Sequence, residues 1–346
     1  MGNNAMIPHC AALSPLRVAA APLSVCEAAP TFLQSPFWGT FKEQFGWKAH
    51  AFTVTFDGEG QKPLLVLARR VARVVTLAYI PWGPELPDGE IPQDTALADI
   101  AVGIRPHVPG AAFARFDLPW RMTGTGPVPS TPFKKAAVTV QAPDTVHVDL
   151  CPDEDAILAQ MKPKWRYNIR LGGRKVTVVR CGAERLADFY ALLEETARRD
   201  HIRIHNPAYY RTLFDVAAPP VAVSLYLAEY EGAPVAGIVT LFRGKEAVYL
   251  YGASSNEHRN LMAPYALQWR AMRDAKTAGC AYYDLFGIPP NADPSHPMAG
   301  LYLFKTGFGG SIIHRPGCYD YAYNPLLTAA FRAAEKARKR MSGQAR

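Results

Sequence analysis

Period-two alternation of apolar and polar positions marks the first third of the chain as strand. "HAFTVTF" (50–56), "PLLVLARRV" (63–71) and "RVVTLAYI" (73–80), with the turn "DGEGQ" after the first, read as a meandering antiparallel sheet. A helical period follows over Gln93 to Ile104, then a further strand in "AAFARFDLPW" and a Pro/Gly/Thr-rich stretch, "RMTGTGPVPSTPFKKA", of the kind that borders a cleft. From "TVHVDL" (145–150) the same order begins again. A helix is expected over "DEDAILAQMKPKWRYNIRLGGRK", a strand in "VTVVRC" and a helix in "LADFYALLEETARRD". Three strands follow, "VSLYLAEYEG", "APVAGIVTLFRG" and "KEAVYLYGAS", with Glu-Gly and Arg-Gly at the hairpin turns. The last helix, from Pro325 to about Met341, is expected to pack on the first half and turn its basic end, "RAAEKARKR", to solvent.

Paired antiparallel strands, a strand, a helix and a strand, occurring twice, predict an α/β (α+β) chain of two tandem GNAT-like (acyl-CoA N-acyltransferase) domains with a cleft between them. The expected boundaries are a poorly ordered extension over 1–22, a first domain over 23–146 plus 316–346, and a second over 147–315. In acetyltransferases of this type the loop after the central strand runs Arg/Gln-x-x-Gly-x-Gly/Ala, so that helix-terminal amides close on the coenzyme A pyrophosphate. Here it runs Arg259-Asn260-Leu261-Met262-Ala263-Pro264. Met262 stands where a small residue is needed, and Pro264 removes an amide donor. The fold is therefore expected without the coenzyme.

Composition narrows the partner. The 346 residues are 49% hydrophobic and 20% charged, with a formal charge of +8 and a pI near 9.1. That balance suits a polyanionic partner such as nucleic acid, a phosphorylated substrate or an anionic membrane surface, or simply solubility. The six cysteines show neither CxxC nor metal-ligand spacing and read as reduced thiols of a cytoplasmic protein. No apolar run approaches the ~20 residues that span a bilayer, which leaves peripheral contact as the expected mode at a membrane.

Six motifs, in order along nearly the whole chain, resemble the Fem family (FemABX) of peptidoglycan interpeptide-bridge aminoacyltransferases. They are "FLQSPFWGTFKEQFGW" (32–47), "YIPWGPE" (79–85), "MKPKWRYNIRLGGRKVTV" (161–178), "FYALLEETARRD" with "YY" (189–210), "YLYGASSNEHRNLMAPYALQWRAMRDAKTAGCAYYDLFGI" (249–288) and "GLYLFKTGFGG" (300–310). The resemblance implies two GNAT-like domains and transfer of an amino acid from aminoacyl-tRNA to the stem-peptide side-chain amine of UDP-MurNAc-pentapeptide or lipid II. No metal or organic cofactor is implied, and a monomer is expected. Some members carry a helical coiled-coil arm; between Arg185 and Asp215 there is room for a single helix and a short turn, so the armless form is expected.

Individual residues follow from the residues themselves and from this resemblance. Lys42 lies one helical turn past Trp38, on a helix opened by Ser35-Pro36. By resemblance it contacts the precursor's diphosphate, with Trp38, Tyr79, His205, Tyr209, Tyr210, Tyr251 and Arg259 also lining the substrate. The family often carries arginine where His205 stands, and histidine is a shorter, titratable replacement. Lys164, Arg166 and Arg170 cluster around Trp165 and Tyr167 as a tRNA face or a solvated helix face. Lys305, after Phe304 and ahead of Gly307, is the leading catalytic candidate, because a fixed ammonium stabilises the oxyanion of ester aminolysis or holds the 3'-terminal phosphates of the tRNA. Glu85, as a contact for the acceptor amine, and Phe304, beside the lysine in the same motif, complete the catalytic set. No triad or carboxylate pair supplies a general base; Asp284 is placed to orient the "FGI" turn. Two competing functions are a coenzyme A-dependent N-acyltransferase and a non-catalytic tRNA- or RNA-binding protein; a protein N-terminus or a lipid is the competing acceptor.

Overall fold

The computed structural model describes residues 16–56, 60–71, 75–87, 92–122 and 128–344. Among these, two seven-stranded sheets are built on one plan. In the first, β1 (Leu16–Ala21) precedes two 3-10 turns and α1 (Pro36–Glu43); β2 (Lys48–Phe56), β3 (Gly60–Val71) and β4 (Val75–Ile80) then run antiparallel. Helix α2 (Gln93–Ile104) crosses over to β5 (Ala111–Leu118), which lies parallel to β4, and β6 (Lys134–Lys135) forms an edge.

The second sheet begins with β7 (Thr145–Asp149). After α3 (Glu154–Gln160), α4 (Pro163–Lys175), β8 (Thr177–Cys181), α5 (Leu186–Asp200) and α6 (Pro207–Asp215) come the antiparallel strands β9 (Val221–Tyr230), β10 (Ala233–Arg243) and β11 (Glu246–Ser254). Helix α7 (Ala263–Thr277) then crosses to β12 (Tyr282–Asp284), parallel to β11. After α8 (Ala299–Thr306) and β13 (Ser311–Ile313), strand β14 (Gly317–Ala322) returns to the first sheet beside β5, and α9 (Pro325–Gln344) closes the chain. Each sheet thus opens at one parallel pair, β4/β5 or β11/β12, served by one crossover helix. The repeated plan read from the sequence is the plan of the fold.

Three local expectations need correction. Residues 16–21, read as part of a loose extension, form an edge strand paired along β2, with Val18 packed under Gly103 of α2; "LRVAAA" carries little strand signal of its own, and the pairing supplies it. Residues 1–15, including Cys10, lie outside the described part. The single helix expected over 153–175 is two helices, because Lys162 precedes Pro163 and is held extended at ψ 144°. Two helices, α5 and α6, fit between Arg185 and Asp215, where one was expected; Asn206 caps the second through Tyr209 N.

The core decides how the two halves sit. One apolar cluster joins Phe32, Trp38, Phe41 and Tyr79 of the first half to Phe189, Tyr209, Leu227 and Val239 of the second. The outer faces of the two sheets carry their own clusters beneath α2 and α7. Helix α9 is tied to the first sheet by Arg115, which donates to both oxygens of Asp320 and of Glu335. Phe331 packs on Phe113 at 5.2 Å. Among the described residues no helix is long and apolar enough to cross a membrane, and the five cysteines there are unbridged.

Candidate active site

Ser35 caps α1 by accepting from Trp38 N, and the helix buries Phe37, Trp38 and Phe41 while Lys42 reaches past them. Its ammonium lies 5.1 Å from the Trp38 ring and 5.8 Å from each of the Phe41, Trp47 and Tyr209 rings. Burial, and then the nearby Arg69, push Lys42 down to about 8. From the second half, His205 stacks on Tyr209 at 3.7 Å. The Tyr209 and Tyr251 hydroxyls hydrogen-bond each other, and Tyr251 meets Tyr210 edge-on at 5.1 Å. The Tyr210 hydroxyl accepts from His205 N at 3.3 Å. Burial, with Lys42 second, holds the His205 imidazole below its usual range. Six of the expected substrate residues, Trp38, Lys42, His205, Tyr209, Tyr210 and Tyr251, therefore converge from opposite halves of the chain. An aromatic wall beneath a nearly unpaired cation is a suitable receiver for a phosphate or a stacked base.

Two members of that expected set stand elsewhere. Tyr79 is 2% exposed and donates to Asp117 Oδ2 at 2.8 Å, so its hydroxyl is committed within the first sheet. Arg259 is exposed ahead of α7, where its charge acts on Asp200, and no contact among the described residues joins it to Lys42. The reason is local: His258 and Met262, both in the left-handed region at φ 56°, turn the 3-10 segment Arg259–Leu261 outward. The same Met262 closes the start of α7. Its carbonyl lies against α4 at Gly172, where a Cβ would stand 2.8 Å away. The end of α7 is thus covered by a helix instead of forming an open amide cradle.

Strand β11 connects this wall to a second centre. Its register against β10 slips at Val239/Thr240, pairing Tyr251 with Val239 and Tyr249 with Thr240 and leaving Leu250 as the extra residue. Regular alternation would put both tyrosines on one face. The bulge instead sends Tyr251 into the core shared by the two halves and Tyr249 to the opposite face, 5.3 Å from Lys305 Nζ.

Lys305 ends α8 and is 6% exposed. It donates to the carbonyls of Gly287 at 2.8 Å and Phe286 at 3.3 Å, and an ammonium has a third donor to offer. Burial lowers it to about 7, against the pull of Asp284. The Phe286 turn is set by that same Asp284, which accepts from Phe286 N and Thr145 Oγ1 and has His147 Nε2 at 3.3 Å. Phe304 serves packing: its ring meets Tyr265 and Phe308, each at 5.2 Å, and its carbonyl accepts from Trp165 Nε1. The Trp165 indole lies so close over Gly307 that a Cβ there would stand 2.1 Å from it. That contact, and not flexibility, is why glycine follows this lysine.

On the basic helix α4 the structure separates the expected trio. Lys164 and Arg170 are exposed, whereas Arg166 donates to the carbonyls of Met161 and Ala159 and braces the break between α3 and α4. Glu85 pairs with Lys62 at 2.7 Å on the rim of a cavity between the two sheets, away from Lys305. That cavity holds residues the sequence did not single out, His147, Glu246 and Arg315. Glu246 opens a strand, Arg315 sits in a loop and His147 lies mid-strand in β7; burial by the opposite sheet is the signal, and it is non-local. Among the described residues no group of three or more His, Cys, Asp or Glu is placed to hold a metal ion.

Comparison with known proteins follows this geometry. The chain is 23% identical over 374 residues to a lipid II:glycine glycyltransferase of Staphylococcus aureus (strain USA300), covering 85% of this chain and 89% of that one. It is 24% identical over 234 residues to the protein of the same name in Staphylococcus saprophyticus, where the match spans 56% of the relative's length. Among solved structures, a crystal structure of FemX superposes with a TM-score of 0.78 at 20% identity, covering 91% of this chain and all of that one. A tandem GNAT protein from the clavulanic acid biosynthesis pathway superposes at 0.53 with 12% identity and 90% coverage. The fold is therefore two tandem GNAT-like units without a coiled-coil arm. The FemAB family model matches residues 131–231 and 222–336, more than half of the sequence, and the chain belongs to the FemAB family.

Proposed function

We propose that this chain transfers an aminoacyl group from aminoacyl-tRNA to the side-chain amine of a peptidoglycan precursor's stem peptide, carried on lipid II or on UDP-MurNAc. The observation that carries the reading is the bulged strand β11, which puts Tyr251 on one face, bonded to the Tyr209 that Lys42 overlies, and Tyr249 beside Lys305 on the other. One lysine serves a phosphate-bearing substrate and the other the reacting ester. The printed name of the Staphylococcus relatives, lipid II:glycine glycyltransferase, supports the acceptor class.

In this reaction the neutral amine nitrogen attacks the ester carbonyl carbon, forming the C–N bond and an oxyanion. Collapse breaks the ester C–O bond and yields an amide and the free tRNA hydroxyl, which receives the proton the amine gives up. Lys305 in its ammonium form offers its remaining N–H to the oxyanion, in a site dry enough for that bond to count. The ester is already activated, so holding the two substrates in line supplies much of the remaining acceleration. Lys42 and the His205/Tyr209 stack hold the diphosphate of the acceptor, and Lys164 and Arg170 present charge to the tRNA. The exposed basic stretch of α9, with Lys336 and Arg338, suits peripheral contact with an anionic membrane surface carrying a lipid-linked acceptor.

The test is mass spectrometry of lipid II and of UDP-MurNAc-pentapeptide incubated with the protein, total tRNA, synthetases and an amino-acid pool. A gain of one residue that RNase abolishes is expected on one of the two precursors. No gain on either, with tRNA still bound, overturns the reading in favour of another acceptor or a binding protein.

A further inference from the structure

Between the two sheets lies a cavity of about 190 Å³, lined among others by Trp82, Glu85, His147, Glu246, Tyr282 and Arg315. It adjoins the Lys305 centre through Trp82, whose ring meets that of Phe286 at 5.8 Å. Arg315 lies over the other partner of this contact, its guanidinium 3.8 Å from the Trp82 ring centroid. Its Nε and Nη1 are buried and donate to nothing. Leaving buried donors unmade costs about 1–3 kcal/mol each, more for a charged group, so an acceptor is called for at this position.

The neighbouring carboxylates do not fill that role. Asp117, Asp284 and Glu246 all act on Arg315 through space, but each is committed to other donors. Asp117 Oδ2 accepts from Tyr79 and from Gln141 N, Asp284 from Thr145 and Phe286 N, and Glu246 from Phe32 N at 2.8 Å. Asp284 offsets the guanidinium charge in place, while burial raises Asp117 to about 6 and Glu246 to about 7, and all three leave the Arg315 donors for something else. Nη2 stands between the Nε and Nη1 donors and forms a parallel N–H pair with either, so a carboxylate seated on Nη2 takes up Nε or Nη1 as its second bond. The same carboxylates disfavour a phosphate dianion, while Glu246, whose carboxylate keeps lone pairs beyond the bond from Phe32 N, and Glu85, whose second oxygen is not taken by Lys62, put acceptors for an ammonium on the cavity wall. The volume is that of about one amino-acid residue, below the roughly 300 Å³ of ordinary small-molecule pockets.

We propose that this cavity binds an α-amino-acid end, with the carboxylate on Arg315 and the ammonium of the same carbon toward Glu246 and Glu85. Such an end comes either from a free amino acid or from an acceptor diamine that bears a carboxylate beside its reacting amine. Assigning the second source rests on the transfer reading above; the binding chemistry does not.

Calorimetric titration of the full chain, without tRNA or turnover, tests it with glycine against glycinamide and with meso-2,6-diaminopimelate against 1,5-diaminopentane. Each carboxylate-bearing probe is expected to bind at least roughly tenfold tighter than its partner lacking the carboxylate, and inorganic phosphate weakly. Arg315→Lys is expected to lose that preference, since an ammonium cannot form the paired bonds. Diaminopimelate binding well above glycine assigns the pocket to the acceptor; equal binding assigns it to a free amino acid. No binding of either carboxylate probe up to about 20 mM, a range that still reports a few kcal/mol, overturns the proposal. Equal binding of glycine and glycinamide overturns it as well, in a comparison that needs no variant to fold. Binding that holds while the precursor assay fails leaves this site standing without the transfer.

Discussion

Replacing Lys305 by methionine separates catalysis from stability, because the rate is expected to fall while the stability changes little. The fall of Lys305 from 10.5 to about 7 by burial corresponds to about 5 kcal/mol of preference for the neutral amine. The carbonyls of Gly287 and Phe286 accept from it and favour the ammonium by about 1.5–3 kcal/mol each, so the net penalty is at most a few kcal/mol. The sign follows from proton counting: between about 7 and 10.5 the unfolded chain binds the proton and the native one does not, so this lysine makes stability rise with pH across that window. Below 7 both forms are protonated and the full penalty persists. Lys305→Met removes it but leaves the Phe286 and Gly287 carbonyls without that donor, at about 1–3 kcal/mol each, so urea unfolding at neutral pH is expected to show stability close to the parent's, with a flatter pH dependence. The transfer rate is expected to fall about 10²–10³-fold, the cost of one lost oxyanion donor. The Lys305→Arg variant stays charged throughout, so the ratio of parental rate to this variant's rate should decline as pH rises above about 7. A rate loss below about tenfold in Lys305→Met, or a rate loss that tracks loss of folded protein, refutes the role given to this side chain.

Lys42→Met is expected to raise KM for the phosphate-bearing acceptor about tenfold with little change in kcat. In the parent, KM should climb as pH passes about 8, where Lys42 loses its charge, and the variant should lack that climb. Gly307→Ala drives a methyl into Trp165 and should cost about 1–3 kcal/mol in urea unfolding, with Trp165→Leu restoring part of it. Arg115→Met strands the carboxylate of Glu335 and leaves Asp320 to Arg332 alone, and should cost about 3 kcal/mol by the same measurement. Charge reversal of the exposed pair, Lys164→Glu with Arg170→Glu, should weaken tRNA binding and flatten its salt dependence by about two ion contacts, whereas a solvated face would leave both unchanged.

Local periodicity and short motifs sufficed for the repeated element order, the helix Gln93–Ile104, the helix Leu186–Asp200 and the hairpins of the second sheet. These depend on residues near one another in the chain, where a period of two or 3.6 reports directly on which face is buried. The motif around "FWGTFK" likewise brought Lys42 forward, and the paired tyrosines of α6 were singled out before anything showed that they lie across from it. Tertiary structure alone decided the rest. Tyr79 carries the same phenol as Tyr209, yet the partner facing it is Asp117, which arrives from a parallel strand 38 residues later. The bulge at Leu250 turns Tyr249 and Tyr251 apart, although alternation places them on one face. Lys305 reads as a turn residue and is buried because Phe286 and Gly287 curl over it from another element. Arg315 reads as surface charge and becomes the centre of a cavity because the two sheets close over it. A residue's identity determines what it can donate, accept or titrate; its environment, and with it the protonation state and the partner, is set by other elements of the fold.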